Sequence, residues 1–283
     1  MGMLLLLVAT SACKKYEINE IPGNQPPPDT YVSPILKESY VNRLYITLLG
    51  RKADSTEFNA ALALLGPGAV SQSSREALID QIGALPDYKV NLYDILRKEV
   101  LEDVDTATIR VERDRYAGYL GDSAYLNNWP TYQRWTDQLN LMLDIPADIA
   151  AGTIDMRELD RRCVLNPFYD EINMGTENFI VSMYRHYLFR YPSDNELASA
   201  TVMVDGAESV AFLVAGRTKN DFVQIFVHSD DYNEGRVRDL FLKYLLREPT
   251  TTETYTLATQ FSVDSDYLAL QKKILASVEY FTR

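Results

Sequence analysis

Three arginines, Arg51, Arg190 and Arg247, are each followed six positions later by a glutamate, Glu57, Glu196 and Glu253. A guanidinium beside a carboxylate can orient a substrate acid or poise a general acid. The residues around these pairs point elsewhere. Each glutamate closes a run, DSTE, SDNE or TTTE, that begins three residues earlier with Asp54, Ser193 or Thr250. That is the pattern of a capping box, in which the first side chain accepts from an orphan helix N–H and the glutamate reaches back to the cap's own N–H. Pro192 and Pro249 just ahead stop the preceding helix. The arginine then sits in that helix's last turn, facing the negative end of its dipole and within reach of a carboxylate across the turn. These six residues are expected to be structural.

Other chemistry is sparse. The chain has two histidines, His186 and His228, and no HExxH, paired-cysteine, GxSxG, GxGxxG or P-loop motif, so no metal or cofactor is expected. Cys163 is expected to be buried and inert, although Arg161 and Arg162 beside it would favour a thiolate. The acids Asp122 and Asp137 would serve a hydrolase only if they face one cleft at a suitable separation. The denser feature is aromatic: Tyr116, Tyr119, Tyr125, Trp129, Tyr132 and Trp135 fall within twenty residues, interleaved with Asp122, Asn127 and Asn128. Flat rings bordered by amides and acids suit a protein interface or stacking on sugars, and equally the packing of one part of the chain on another.

The elements that carry these residues are helical. Val41, Leu44, Tyr45, Leu48 and Leu49 follow the i, i+3, i+4, i+7 spacing of an amphipathic helix. Ile180, Met183, Tyr184, Tyr187 and Leu188 repeat it, as do Val237, Leu240, Phe241, Tyr244 and Leu245. Each copy then runs through a further helix into an acid–tyrosine pair, Asp87–Tyr88, Asp231–Tyr232 or Glu279–Tyr280. Ser229 or Ser277 ahead of the pair is suited to begin a helix, with the tyrosine ring packed on a neighbour and its hydroxyl expected to bond to backbone. No segment alternates long enough for a strand. The expected fold is all-α: three helical repeats of about three helices each, with a helical, aromatic-rich insert between the first and second. The divisions are 35–89 for repeat one, 90–174 for the insert and 175–283 for repeats two and three. The run NPFYDEINMGTENF, 166–179, reads as an ordered polar loop joining insert to repeat.

A net charge of −12 argues against nucleic acid as a partner. The apolar run Leu4–Val8 is too short to span a bilayer and leads through Thr10, Ser11 and Ala12 to Cys13. This resembles a bacterial lipoprotein signal, without its basic first residues. The resemblance implies a signal peptide over 1–12, a lipidated Cys13, and a proline-rich tether over 13–34. Lys14 and Lys15, with Glu17 and Glu20 behind them, resemble the lipoproteins of Bacteroidota, many of which reach the cell surface.

The repeats also resemble a known family. Tyr45, Leu48–Arg51 and Asp87–Tyr88, their counterparts Tyr184, Leu188, Arg190, Pro192, Glu196, Ser229 and Asp231–Tyr232, and Phe241, Leu245, Arg247, Pro249, Glu253, Ser277 and Glu279–Tyr280 carry the resemblance. The pattern is similar to the phycobilisome linker domain and to a related repeat of bacterial surface and secreted proteins. It covers about two thirds of the chain and implies helical modules used for assembly, without pigment. The expected function is that of a non-enzymatic, lipid-anchored scaffold or accessory subunit of an outer-membrane or cell-surface assembly, with the aromatic insert facing a protein partner. The alternatives are a glycan-binding lipoprotein serving a nutrient transporter, and the hydrolase above.

Overall fold

In the computed structural model, residues 32–283 are described. The expected signal, Cys13 and nearly all of the tether lie outside them; of the tether only 32–34 is seen, and Pro34 already opens a helix.

Three quarters of the described residues are helical, and the all-α class holds. Helices α1 (Pro34–Leu49), α2 (Ser55–Leu65), α3 (Gln72–Gly83) and α4 (Pro86–Val100) lead into α5 (Thr106–Tyr119). A 3-10 turn, Ser123–Asn128, joins α5 to α6 (Trp129–Ala151), followed by α7 (Met156–Val164) and α8 (Pro167–Ile172). Then come α9 (Thr176–Met183), continued by a π-helical turn over Tyr184–Leu188, and α10 (Asp194–Val204). After a hairpin of β1 (Ser209–Ala211) and β2 (Val214–Gly216), the chain ends in α11 (Lys219–Val227), α12 (Asp230–Leu245), α13 (Thr251–Asp264), α14 (Tyr267–Leu275) and α15 (Val278–Phe281). No described helix is long and apolar enough to cross a membrane.

Local chemistry explains most boundaries. Asp54, Ser193 and Thr250 open α2, α10 and α13 with complete capping boxes. Ser71, Asp105, Asp155, Thr218, Ser229 and Asp266 cap other helices by accepting a backbone N–H. Proline stands in the first turn of α1 and α4, where a missing N–H costs nothing. The helical stretch before each capping box ends on a left-handed residue, Gly50, Phe189 or Leu246. Glycine meets that demand without strain at the first position alone.

The core is one cluster running from Tyr40 to Phe281. The first and last segments close on each other. The Tyr40 hydroxyl donates to the Leu275 carbonyl, and Arg43 reaches the carbonyls of Tyr280 and Phe281. Buried Arg75 donates to the carbonyls of Ala276 and Val70. In the second half, α12 lies so close to the π-helical turn that a Cβ on Gly235 would stand 1.9 Å from the Tyr187 carbonyl oxygen.

Four sequence expectations need correction. The hairpin was not anticipated, because three residues per strand are too few to show an alternating pattern; its turn puts Phe212 and Leu213 at positive φ. The stretch 166–179 is helical, not a loop: Asn166 caps α8 and α9 begins at Thr176. The further helix of each copy stops before the acid–tyrosine pair, which lies in the first turn of the next helix, α4, α12 or α15; Ser229 and Ser277 begin the latter two, as their position ahead of the pair suggested. The tyrosine hydroxyls meet side chains rather than backbone, Tyr88 donating to Gln271, Tyr232 to Asp160, and Tyr280 sharing a hydrogen bond with Thr47.

Candidate functional site

The recurring arginines and glutamates form three separate clusters, each closed within its own stretch of chain. Arg51 grips Glu57 through both terminal nitrogens at 2.7 and 2.8 Å, Arg190 grips Glu196 at 2.9 and 2.6 Å, and Arg247 grips Glu253 at 2.9 and 2.7 Å. Each glutamate also accepts the N–H of its capping residue. A third member comes from the acid–tyrosine pair: Asp87, Asp231 and Glu279 join Arg51, Arg190 and Arg247 at 2.7, 2.7 and 2.8 Å. The hydrogen bonds from arginine hold all three glutamates down to about 2. Carboxylates so strongly ionised and so fully occupied are poor proton donors. Their geometry ties three helix ends together.

The aromatic residues come together at the end of a two-helix hairpin. In α5 the one buried residue is Ile109, near its start. In α6 every buried residue lies from Thr136 onward. The end of α5 and the beginning of α6 therefore extend past the core, with rings in place of a shared interior. Tyr119 meets Tyr125 at 4.4 Å and Tyr132 at 5.0 Å between centroids, and Tyr116 meets Trp135 at 4.9 Å. Trp129 stacks on none of the other five and donates its indole N–H to the Asp122 carbonyl at 3.2 Å. None of the six rings is buried. Tyr116 alone of the six packs against the edge of the core, so the rings do little to fix the insert to the rest of the protein. That task falls to α7, whose Leu159, Asp160, Cys163 and Val164 are buried and whose Arg157 reaches Asn233 of α12.

The remaining candidates fall apart from one another. Asp122 caps the 3-10 turn through Ala124 N–H. Asp137 accepts from Gln133 and lines a polar groove of about 390 Å³ with Gln138, Arg161 and Asn220, which Asp122 does not reach. His228 Nδ1 lies 2.9 Å from the Gln224 carbonyl, to which it donates, and His186 shares a hydrogen bond with Tyr169. Among the described residues no three His, Cys, Asp or Glu side chains are placed to hold a metal. Cys163 is fully buried, and burial pushes its thiol up.

One site was missed. Where α1, α4, α7, α12 and α14 meet there is a cavity of about 330 Å³ containing Arg236, Asp239, Lys243, Tyr244 and Tyr267. Its signal was present: Arg236 stands as far ahead of Arg247 as Tyr40 and Phe179 stand ahead of Arg51 and Arg190, and Asp239 and Lys243 follow at i+3 and i+7. Charged residues at that spacing on a core-facing stripe mark a polar interior. Asp160 of α7, wholly buried, receives the Tyr232 hydroxyl at 2.5 Å and lies 3.4 Å from Arg236. Burial raises the Asp160 carboxyl to about 6.

No protein-family model, curated protein or solved structure matches the chain.

Proposed function

We propose that this chain is a non-enzymatic, lipid-anchored scaffold or accessory subunit of an outer-membrane or cell-surface assembly, built from three copies of a helical module. The copies form the body, and the α5–α6 hairpin presents its aromatic end to a protein partner. The observation that carries this reading is the position of the rings: five of them contact one another beyond the last buried residues of both helices. Tyrosine and tryptophan on a projecting, self-supported element supply large contact area at little entropic cost on binding. Tyr125 and Leu126 are exposed apolar groups there.

A photo-crosslinking residue at 125 or 126, activated in native membranes, is expected to trap a discrete partner, while the same residue at exposed Tyr255 on α13 traps none. Trp129→Ala with Trp135→Ala is expected to abolish the adduct while leaving the helix content unchanged. Absence of an adduct at the hairpin end, or the same adduct from position 255, overturns the proposal. A glycan ligand is the second reading, supported by the amides and acid of the polar groove along α6 (Gln133, Asp137, Gln138 and Asn220). Retardation in polysaccharide gels that is lost on Gln138→Ala would favour it over the scaffold.

A further inference from the structure

We propose that the cavity around Arg236 binds a small carboxylic acid with a short apolar tail, the carboxylate received by Arg236 and the tail by the aliphatic part of the lining. The guanidinium is 4% exposed and lies against the rings of Tyr187 and Tyr232 at 4.6 and 5.2 Å. It donates no hydrogen bond to any described group, and its Nε is buried without a partner. A buried arginine with unfilled donors is costly, because each N–H taken from water without replacement loses its solvation.

The acids nearby do not fill those donors. Asp239 stands 4.0 Å from Arg236 and is taken by Lys243 at 2.9 Å, which also holds Glu99 at 2.8 Å. Asp160, at 3.4 Å, offsets the charge, but its nearer oxygen is engaged by Tyr232. Two further hydroxyls of the cavity can donate. Tyr244 accepts from Gln271 at 2.6 Å and keeps its own proton, and Tyr267 makes no hydrogen bond to a described group. The second oxygen of Asp160 is also buried without a partner, but Asp160 is not part of the cavity lining. Within the lining, Arg236, Tyr244 and Tyr267 have donors to spare while Asp239 and Glu99 are held by Lys243, which favours an anionic oxygen ligand.

The apolar part of the lining is formed by Ile46, Leu92, Ile95, Leu96 and Met156. Such a surface gains from covering by an apolar tail, while the polar part of the lining receives the head group. At about 330 Å³ the space is at the small end of ligand pockets, sufficient for an acid of roughly six to ten heavy atoms. Lys243 bridges α12 to Glu99 of α4 beside it, so a compact molecule fits better than a polymer.

The test uses hexanoate and hexan-1-ol as a matched pair, titrated into the purified full chain and followed by methyl NMR of Ile95, Leu96 and Met156. Hexanoate is expected to bind saturably and at least about tenfold more tightly than the alcohol, the lower end of what charge-assisted hydrogen bonds contribute. Arg236→Met is expected to erase that preference; if the variant does not fold, two milder ones carry the test. Ile95→Trp, at a half-exposed position, fills the cavity and is expected to abolish binding, and Tyr267→Phe is expected to weaken hexanoate several-fold without changing hexan-1-ol. Equal affinity for acid and alcohol, no saturation by about 10 mM, or hexanoate binding that persists in Ile95→Trp overturns the proposal.

Discussion

The three arginine–glutamate clusters make a prediction that their sequence repetition alone does not. Glu57, Glu196 and Glu253 each fall from an ordinary 4.5 to about 2 in the folded chain. A depressed carboxyl contributes stability that is fully present above about pH 4.5 and is lost as pH falls through 2. Taken at face value, each shift corresponds to about 3 kcal/mol. The side chains are 20%, 32% and 34% exposed, so solvent screening reduces this. About 1 kcal/mol per cluster, or about 3 kcal/mol for the three, is the appropriate scale. The perturbation is Glu57→Gln, Glu196→Gln and Glu253→Gln together, because glutamine keeps an acceptor for the capping N–H while removing the charge. Urea unfolding followed by circular dichroism at pH 6 is expected to show the triple variant about 3 kcal/mol less stable than the parent. By pH 2.5 most of that gap is expected to have closed, since the parent has by then lost most of its advantage. Parallel stability curves from pH 6 to 2.5 would show that the clusters hold no helix ends together, and the structural interpretation of the signature would fall.

Other consequences can be checked separately. Gly235→Ala forces a Cβ to within 1.9 Å of the Tyr187 carbonyl oxygen, with backbone on both sides; a loss of at least about 3 kcal/mol, or failure to fold, is expected in thermal melts. Gly50→Ala places a side chain at φ 68° and against Asn91, which donates to the Leu48 carbonyl; a cost of about 1–2 kcal/mol or more is expected. The carboxyl of Asp160 should titrate near pH 6 in carbon-13 spectra of aspartate-labelled protein. Because its folded value is raised, its contribution is most favourable below about pH 4 and declines as pH rises toward 6. Tyr232→Phe removes a hydrogen bond to the charged form, so that midpoint should move further up.

Much of the fold was legible because its determinants are local. A capping box spans three residues, an amphipathic stripe a turn or two, and the arginine–glutamate pairs six residues across one bend; α2, α10 and α13 begin where those patterns place them. The aromatic crowding was equally visible, but its setting was not. Whether rings at 116–135 face a core or solvent depends on how far α5 and α6 reach past the residues that pack on α4 and α7. The third acid of each cluster joins its arginine from 36, 41 or 32 residues away, a closure that depends on intervening helices of different lengths.

The sequence by itself determined the helices, their capped beginnings and the shared signature, because these depend on backbone groups satisfied by near neighbours. Tertiary structure alone decided that Arg236 is buried, that Asp160 of α7 lies against it, and that a cavity opens beside them. These residues come from elements far apart in the chain, and the cost of burying a charge depends on every group that surrounds it.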